Sequence, residues 1–148
     1  MKQILLFCLV LLLGIQHTAS ARAADADNTL RFNELYSGGG VLGLQFSEKV
    51  QHLNGKKVVI QGFMAPPLKA EANFFVLTRE PVALCPFCQS DADWPDNILV
   101  VYLDERQNFV QNNTTIEVEG ILEIGSHEDA ATGFVSQMRL RSATFHKI

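Results

Sequence analysis

The segment Thr115–Ile124 alternates apolar and polar side chains with a period of two residues. Successive side chains of a β-strand point to opposite faces, so this pattern predicts a strand with one buried and one solvated face. The apolar face contains Ile116, Val118, Leu122 and Ile124, and the polar face contains Glu117, Glu119 and Glu123. Gly120 interrupts the pattern and predicts a β-bulge.

Four other segments are rich in β-branched and aromatic residues, and no long helical pattern separates them. They are Lys57–Met64, Asn73–Thr78, Ile98–Leu103 and Phe134–Ala143. Gly62 in the first of them predicts a bulge or bend. In the last one, Met138 and Leu140 are expected to point inward, while Arg139 and Arg141 point outward and pair with the glutamate face.

One short helix is expected within Ser47–Leu53, with Ser47 as its N-cap and Asn54-Gly55 as the turn that ends it. Five strands with no long intervening helix predict a small antiparallel barrel. The fold class is therefore predicted as all-β with a small helical element, arranged as a five-stranded OB-like antiparallel barrel.

The N-terminus has the pattern of a secretory signal peptide, with Lys2 ahead of an apolar run from Ile4 to Ile15 and a small-x-small site at Ala21-Arg22-Ala23. Cleavage is expected after Ala23, which makes residues 1–23 the leader. Residues 24–45 are predicted to be a lead-in segment that packs on the domain. Residues 46–148 are predicted to form the OB-like domain.

Within the lead-in, Ser37-Gly38-Gly39-Gly40 is expected to break any regular element. Val41–Phe46, at its end, allows either an extended or a helical interpretation.

Charge limits the partners of the mature chain. The whole sequence has 12 basic and 16 acidic residues, and loss of Lys2 and Arg22 with the leader leaves a formal charge of −6. Such an acidic domain is a poor nucleic-acid binder, because that binding depends on neutralising phosphates. No second apolar run is long enough to cross a bilayer, so no integral membrane segment is expected after cleavage. The expected location is periplasmic or secreted.

Several short motifs resemble a known family. Gly55-Lys56-Lys57-Val58, then Gly62-Phe63-Met64, then a proline, a phenylalanine-rich strand and a cysteine-bearing loop are similar to a family of uncharacterised secreted bacterial proteins with an OB-like core. The resemblance covers roughly Phe46 to Phe145. It implies an accessory role, since some members are associated with ABC-type export or metal-uptake systems. This chain departs from the family pattern in carrying a complete C-x-x-C pair.

That pair, Cys85 and Cys88, contains the cysteines expected in the mature protein, because Cys8 lies in the leader. Two thiolates at this spacing can chelate one ion, and zinc or Cu(I) suits such ligands. Structural zinc usually has four ligands, so others are needed. The candidates are Asp91, Asp93, His127 and Glu128, or groups of a second subunit. Met64 is a candidate soft neighbour for Cu(I), and His127 is expected in the loop between the last two strands.

Two other interpretations of the pair stay open. Cys85 and Cys88 also have the form of an exchangeable thiol–disulfide motif, although no βαβ pattern of a thioredoxin is visible. A structural disulfide is the third interpretation, although so small a ring adds little stability. Trp94, next to this loop, is predicted to contribute to core packing or to a pocket.

No catalytic triad, phosphate loop or carboxylate pair stands out, so an enzyme is not favoured. The sequence predicts a periplasmic binding or accessory protein whose C-x-x-C loop holds a metal ion and which serves an envelope ABC-type transport system. The alternatives are a redox partner protein that uses Cys85 and Cys88, and a protein-interaction module with a structural loop disulfide. An envelope transporter or a thiol-redox protein is the expected partner.

Overall fold

The computed structural model describes residues 28–40, 43–66, 73–83, 94–105, 108, 110 and 113–148. These residues contain eight β-strands, one α-helix, α1 (Glu48–Leu53), and one 3-10 helix (Phe32–Glu34). The strands are β1 (Thr29–Leu30), β2 (Tyr36–Gly40), β3 (Gly43–Phe46), β4 (Lys57–Met64), β5 (Phe74–Thr78), β6 (Ile98–Leu103), β7 (Thr115–Glu128) and β8 (Val135–Lys147). The all-β class with a small helical element is confirmed, whereas the strand count is eight and not five.

Five of these strands pair in a ring. β4 pairs antiparallel with both β5 and β7, β5 pairs antiparallel with β6, and β7 pairs antiparallel with β8. The ring is completed where β8 runs parallel to β6. These five strands correspond to the five predicted from the sequence, and the three additional strands lie ahead of them in the chain.

The N-terminal segment is more regular than its sequence indicates. β1 adds to β4 in parallel, and β2 and β3 pair as a separate two-stranded sheet. The prediction that Ser37–Gly40 breaks regular structure is therefore wrong. Glycine tolerates positive φ, and Gly38 at +140° with Gly43 at +81° allows this ribbon to form where larger residues would be strained. Leu30, Phe32 and Leu35 of this segment are buried in the main core.

The main core lies inside the ring and is built from the inward faces of its strands. The predicted inward residues of β7 and β8 are fully buried, except that Ile124 is only partly buried: Ile116, Val118, Leu122, Met138 and Leu140. Each buried side chain of this size contributes roughly 1.5–3 kcal/mol relative to an exposed one. The burial of alternate apolar side chains therefore determines which face of each strand points inward.

Two glycines within the strands have different roles. Gly120 pairs with Val58 of β4 in an unbroken register, and the register shift beside it places the extra residue on β8, between Arg141 and Thr144, so the predicted bulge at Gly120 is wrong. Gly62 lies in an unbroken register opposite Ile116, so it forms no bulge against β7. A Cβ atom at Gly62 would lie 2.7 Å from the Thr78 carbonyl oxygen, so glycine is needed for close approach of the two backbones.

Helix α1 begins as predicted, because the Ser47 hydroxyl accepts a hydrogen bond from the Val50 amide at 3.2 Å. It ends at Asn54, and Gly55 follows with φ of +78°. Val50 and Leu53 bury the inner face of the helix against the main core. No helix among the described residues has the length and hydropathy of a membrane span.

Candidate functional site

The chain between β5 and β6 carries the C-x-x-C pair, and its base is fixed by backbone contacts. Thr78 and Ile98 are paired across the two strands, and the Arg79 amide donates to the Asn97 carbonyl at 3.0 Å. The buried Thr78 hydroxyl donates to the Glu80 carbonyl at 2.7 Å. The connection from Arg79 to Asn97 therefore leaves and re-enters the sheet at two neighbouring strands that pair directly with each other.

Trp94 fixes the returning end of this connection. Its indole Nε1 donates a hydrogen bond to the Tyr36 hydroxyl at 2.8 Å, and its ring packs against three clusters of buried residues. The Tyr36 ring stacks on Phe46 with centroids 5.5 Å apart. Burial raises the pKa of Tyr36 to about 12, and the nearby charge of Asp96 also raises it. The hydroxyl therefore stays neutral and serves as an acceptor for Trp94.

Four of the predicted metal ligands, Cys85, Cys88, Asp91 and Asp93, lie outside the described residues. Cys85 follows Ala83 by two positions, and Cys88 precedes Trp94 by six.

His127 belongs to β7 and pairs with Ser136 of β8, so it lies on a strand and not in the predicted loop. Its Nε2 lies 2.9 Å from Nη2 of Arg141. A guanidinium group only donates, so Nε2 accepts this hydrogen bond and a neutral ring carries its proton on Nδ1. To bind a metal ion through Nε2, His127 would have to leave Arg141. Its role as a ligand stays a prediction.

Arg139 and Arg141 share one carboxylate, as the predicted pairing with the glutamate face requires. Glu123 Oε2 accepts from Nε of Arg139 at 2.9 Å and from Nε of Arg141 at 3.1 Å. Burial raises the pKa of Glu123, but the hydrogen bonds and charges of the two arginines lower it by a larger amount. The pKa of Glu123 therefore lies below its ordinary value. Arg139 is buried and also donates to the Gly125 carbonyl at 2.8 Å.

The outer end of the β7–β8 hairpin covers the outer face of β5 and β6. The register shifts between Ile124 and His127, where Gly125 has φ of +103°. Beyond this bend, Asp129 Oδ2 accepts a hydrogen bond from the Tyr102 hydroxyl at 3.3 Å. Before the bend, the guanidinium of Arg141, which pairs with Ile121, lies 4.1 Å from the Tyr102 ring centroid. Phe134 packs against Phe74 with ring centroids 5.7 Å apart. Phe134 and Trp94 contact the same two outer clusters.

The surroundings of Tyr102 and Asp129 determine the protonation state of each side chain. Burial raises the pKa of Tyr102, and the neighbouring Asp129 carboxylate raises it further. Hydrogen bonds from Thr132, Tyr102 and Ala131 outweigh burial and lower the pKa of Asp129. At neutral pH the tyrosine is therefore a donor and the aspartate an acceptor, which is what their contact requires.

No group of three or more His, Cys, Asp or Glu side chains that could hold a metal ion occurs among the described residues. Met64, the candidate soft neighbour, is buried in the main core, and its sulfur accepts a hydrogen bond from the Val110 amide at 3.4 Å. Of the candidate ligands, His127 and Glu128 belong to the described part of the chain, and Glu128 is the exposed last residue of β7.

Two contacts were not predicted from the sequence: the hydrogen bond between Trp94 and Tyr36, and the packing of Arg141 on Tyr102. The first joins residues 58 positions apart, and no local pattern indicates which aromatic residues will meet across the fold. The sequence features that pointed toward the second contact were the outward direction of Arg141 and the charge of Glu123.

Comparison with known proteins indicates the fold. No protein-family model matches this chain, and no curated protein matches it. The crystal structure of a DUF3299 family protein from Pseudomonas aeruginosa PAO1 is similar, with a TM-score of 0.55, 12% sequence identity, and coverage of 81% of this chain and 95% of that chain. At this identity the similarity establishes a shared fold and leaves function to the chemistry of the site.

Proposed function

We propose that this chain is a secreted binding or accessory protein of the bacterial periplasm, in which Cys85 and Cys88 hold one zinc or Cu(I) ion. The observation that carries the proposal is the placement of the C-x-x-C sequence in a connection whose two ends are fixed. Thr78 and Ile98 close its base, and Trp94 is hydrogen-bonded to Tyr36 at its returning end. A pair of ligands carried between fixed ends loses less conformational entropy when it binds an ion.

The ring of β4, β5, β6, β8 and β7 is best interpreted as an OB-like barrel. Four of its pairings are antiparallel, and one, between β6 and β8, is parallel. A five-stranded Greek-key barrel of the OB type accounts for this count and order. In that interpretation β1, β2 and β3 are additions at the N-terminal side, and the cysteine pair lies between the second and third barrel strands.

The proposed ligand set is incomplete with the two thiolates alone. A tetrahedral zinc site needs two more ligands, whereas Cu(I) is satisfied by few soft ones. Asp91 and Asp93 are close to the cysteines in sequence, and His127 is available only if it exchanges its contact with Arg141. Glu128 and a second subunit are the remaining sources. We therefore rank Cys85 and Cys88 above the other candidate ligands.

Location and partners are part of the same proposal. The leader of residues 1–23, cleaved after Ala23, would deliver the protein to the periplasm. A metal-holding accessory protein there would serve an envelope transport system of the ABC type. The mature formal charge of −6 favours a partner with a basic surface, because complementary charge speeds association.

The second candidate function is a thiol–disulfide partner protein that uses the same cysteines. The described frame differs from a thioredoxin, in which the motif follows a strand and begins a long helix. Here β5 and β6 pair directly as antiparallel neighbours on both sides of the connection. This favours metal binding over thioredoxin-like exchange. The interaction module with a structural disulfide is the third candidate.

Metal titration of the mature protein tests the proposal. The purified, reduced protein would be titrated with zinc and, without oxygen, with Cu(I), in competition with a chromophoric chelator. The proposal expects one ion per chain. Cys85→Ser and Cys88→Ser should each weaken retention by at least roughly a hundredfold, because each removes one of the two thiolates. Ala83→Ser introduces the same side chain at an exposed neighbouring position and should leave retention unchanged.

A full complement of metal in Cys85→Ser would contradict the proposal. Failure of the reduced wild-type protein to bind either ion would also contradict it. A reduction potential well above that of structural disulfides, measured on the same samples, would favour the thiol–disulfide candidate instead.

A further inference from the structure

A cleft of about 660 Å³ lies between the β2–β3 ribbon and the start of α1. All of its lining residues are described: Glu34, Tyr36, Ser37, Gln45, Phe46, Ser47, Glu48, Lys49 and Gln51. Its volume falls within the range of about 300–1,000 Å³ typical of small-molecule sites. None of these lining residues belongs to the proposed metal-ligand set.

Two aromatic rings contribute the apolar part of the cleft. Tyr36 and Phe46 are opposite each other in the ribbon register and stack with an interplanar angle of 26°. Both are partly buried against the main core, which holds them in place. The face of an aromatic ring carries partial negative charge, and the C–H groups along one face of a pyranose carry partial positive charge. The ring surface that this pair leaves exposed at the cleft, held in place by the core, can therefore pack against the flat face of a sugar.

The polar lining residues offer both donors and acceptors that are not used within the protein. Among the described residues, the side chains of Ser37, Gln45 and Glu48 make no hydrogen bond or ion pair. Glu34 is paired with Lys49 at 2.9 Å. The cleft thus combines a hydroxyl, an amide and a carboxylate, which can bind the hydroxyl groups of a ligand in both directions.

The charges of the lining residues limit the classes of ligand that the cleft can bind. Glu34 and Glu48 are acidic and Lys49 is basic, so the cleft has a formal charge of −1. The ammonium group of Lys49 lowers the pKa of Glu34 through a hydrogen bond, which keeps this carboxylate ionised. A ligand that carries carboxylate or phosphate groups would be repelled, whereas a neutral ligand or one with an amino group would not.

Tyr36 connects the cleft to Trp94, the only tryptophan in the chain, whose indole N–H donates to the Tyr36 hydroxyl at 2.8 Å. A ligand that packs on the Tyr36 ring should therefore change the fluorescence of Trp94.

We infer that this cleft is a binding site for a short neutral or amino-bearing oligosaccharide, which stacks on Tyr36 and Phe46 and is hydrogen-bonded by Ser37, Gln45 and Glu48. The site is independent of the metal-binding proposal. Loss of the cysteine pair should therefore leave sugar binding unchanged.

Calorimetric titration of the mature protein with trisaccharides tests this inference. The probes are chitotriose, cellotriose, maltotriose, the glucosamine trimer and, as the anionic comparison, a galacturonic acid trimer. We expect saturable binding of at least one neutral or amino-bearing probe, a change in Trp94 fluorescence at the same concentrations, and weaker binding of the anionic trimer. Phe46→Ala should weaken binding roughly tenfold, because it removes one of the two aromatic rings that line the cleft.

Matched variants separate binding from folding. Phe145→Ala removes another phenylalanine that is partly buried against the main core but lies outside the cleft, and it should leave the affinity unchanged. Gln45→Ala and Glu48→Gln alter exposed side chains and should each weaken binding a few-fold even if Phe46→Ala does not fold. Cys85→Ser should bind like the wild type. No saturable binding of any neutral or amino-bearing probe, preference for the anionic trimer, or equal loss in Phe145→Ala would overturn the inference.

Discussion

The two halves of the β7–β8 hairpin are both paired antiparallel, but they bury different kinds of side chain. The inner half consists of Thr115–Leu122 and Leu140–Lys147 and closes the ring of strands by pairing with β4. Its residues Ile116, Val118 and Leu140 point into the main core. The outer half, Glu123–Glu128 with Val135–Arg139, bends at Gly125 over the outer face of β5 and β6. There it buries an arginine in a network of hydrogen bonds.

The difference shows which interactions specify each half. Apolar burial is proportional to area and tolerates many combinations of side chains. A buried guanidinium group instead requires particular partners, and it destabilises the fold when one of them is lost. The inner half should therefore respond to changes of volume, and the outer half to changes of charge.

Leu140→Ala should produce the largest effect, because Leu140 is fully buried in the main core. Removing its side chain leaves a cavity at a cost of about 3–4 kcal/mol in the free energy of unfolding. Thr144→Ala, at an exposed position of the same strand, should change it by less than about 0.5 kcal/mol. Urea denaturation of the two variants would measure the difference. Equal destabilisation by both would show that the inner half does not depend on packing.

Glu123→Gln should come next, at about 2 kcal/mol, because it leaves the buried Arg139 without its charged partner. Glu119→Gln is the matched control, since Glu119 pairs with Lys57 on the exposed face of the sheet. An exposed pair of this kind is worth about 0.5 kcal/mol. Urea denaturation at neutral pH would rank the two variants. The same small effect for both would contradict the special role of the Glu123 network.

Acid should act through the same carboxylate. The arginines hold the pKa of Glu123 below its ordinary value of 4.5, so its contribution to stability is fully present above that pH. The contribution is lost as the pH falls through the lowered pKa, where the folded state must take up the proton. The free energy of unfolding, measured from about pH 7 to about pH 3, should therefore fall less steeply for Glu123→Gln than for the wild type. Parallel curves would contradict this assignment.

Gly125→Ala should have the smallest effect of the series. Gly125 has φ of +103°, a conformation that other residues rarely adopt, yet no atom lies within 4 Å of the position its Cβ would take. The cost is therefore backbone strain alone, about 1–2 kcal/mol. Ser126→Ala, at the next and exposed position, should be nearly neutral. Thermal unfolding of the two variants would separate strain at the bend from any general sensitivity of the outer half.

The same contrast explains what the sequence could predict. The strict alternation of Thr115–Ile124 indicates which side chains enter the main core, because a period of two is a local property of the strand. The bend at Gly125 depends on a register shift between two strands, so the burial of Arg139 was not predictable from its outward position. The glycines after Tyr36 were interpreted as a break, although a partner strand at Gly43–Phe46 makes them part of a ribbon. The C-x-x-C pair could be identified from sequence, but its ligand partners depend on contacts between distant segments.

The most direct test of the central proposal is the native intact mass of the mature protein, isolated from the periplasm without chelator or reductant. Metal binding by Cys85 and Cys88 predicts a mass heavier by one zinc or copper ion, and loss of that ion in Cys85→Ser but not in Ala83→Ser. A mass two hydrogens lighter than the reduced chain would show that the two cysteines are bridged, and would contradict a resting metal site.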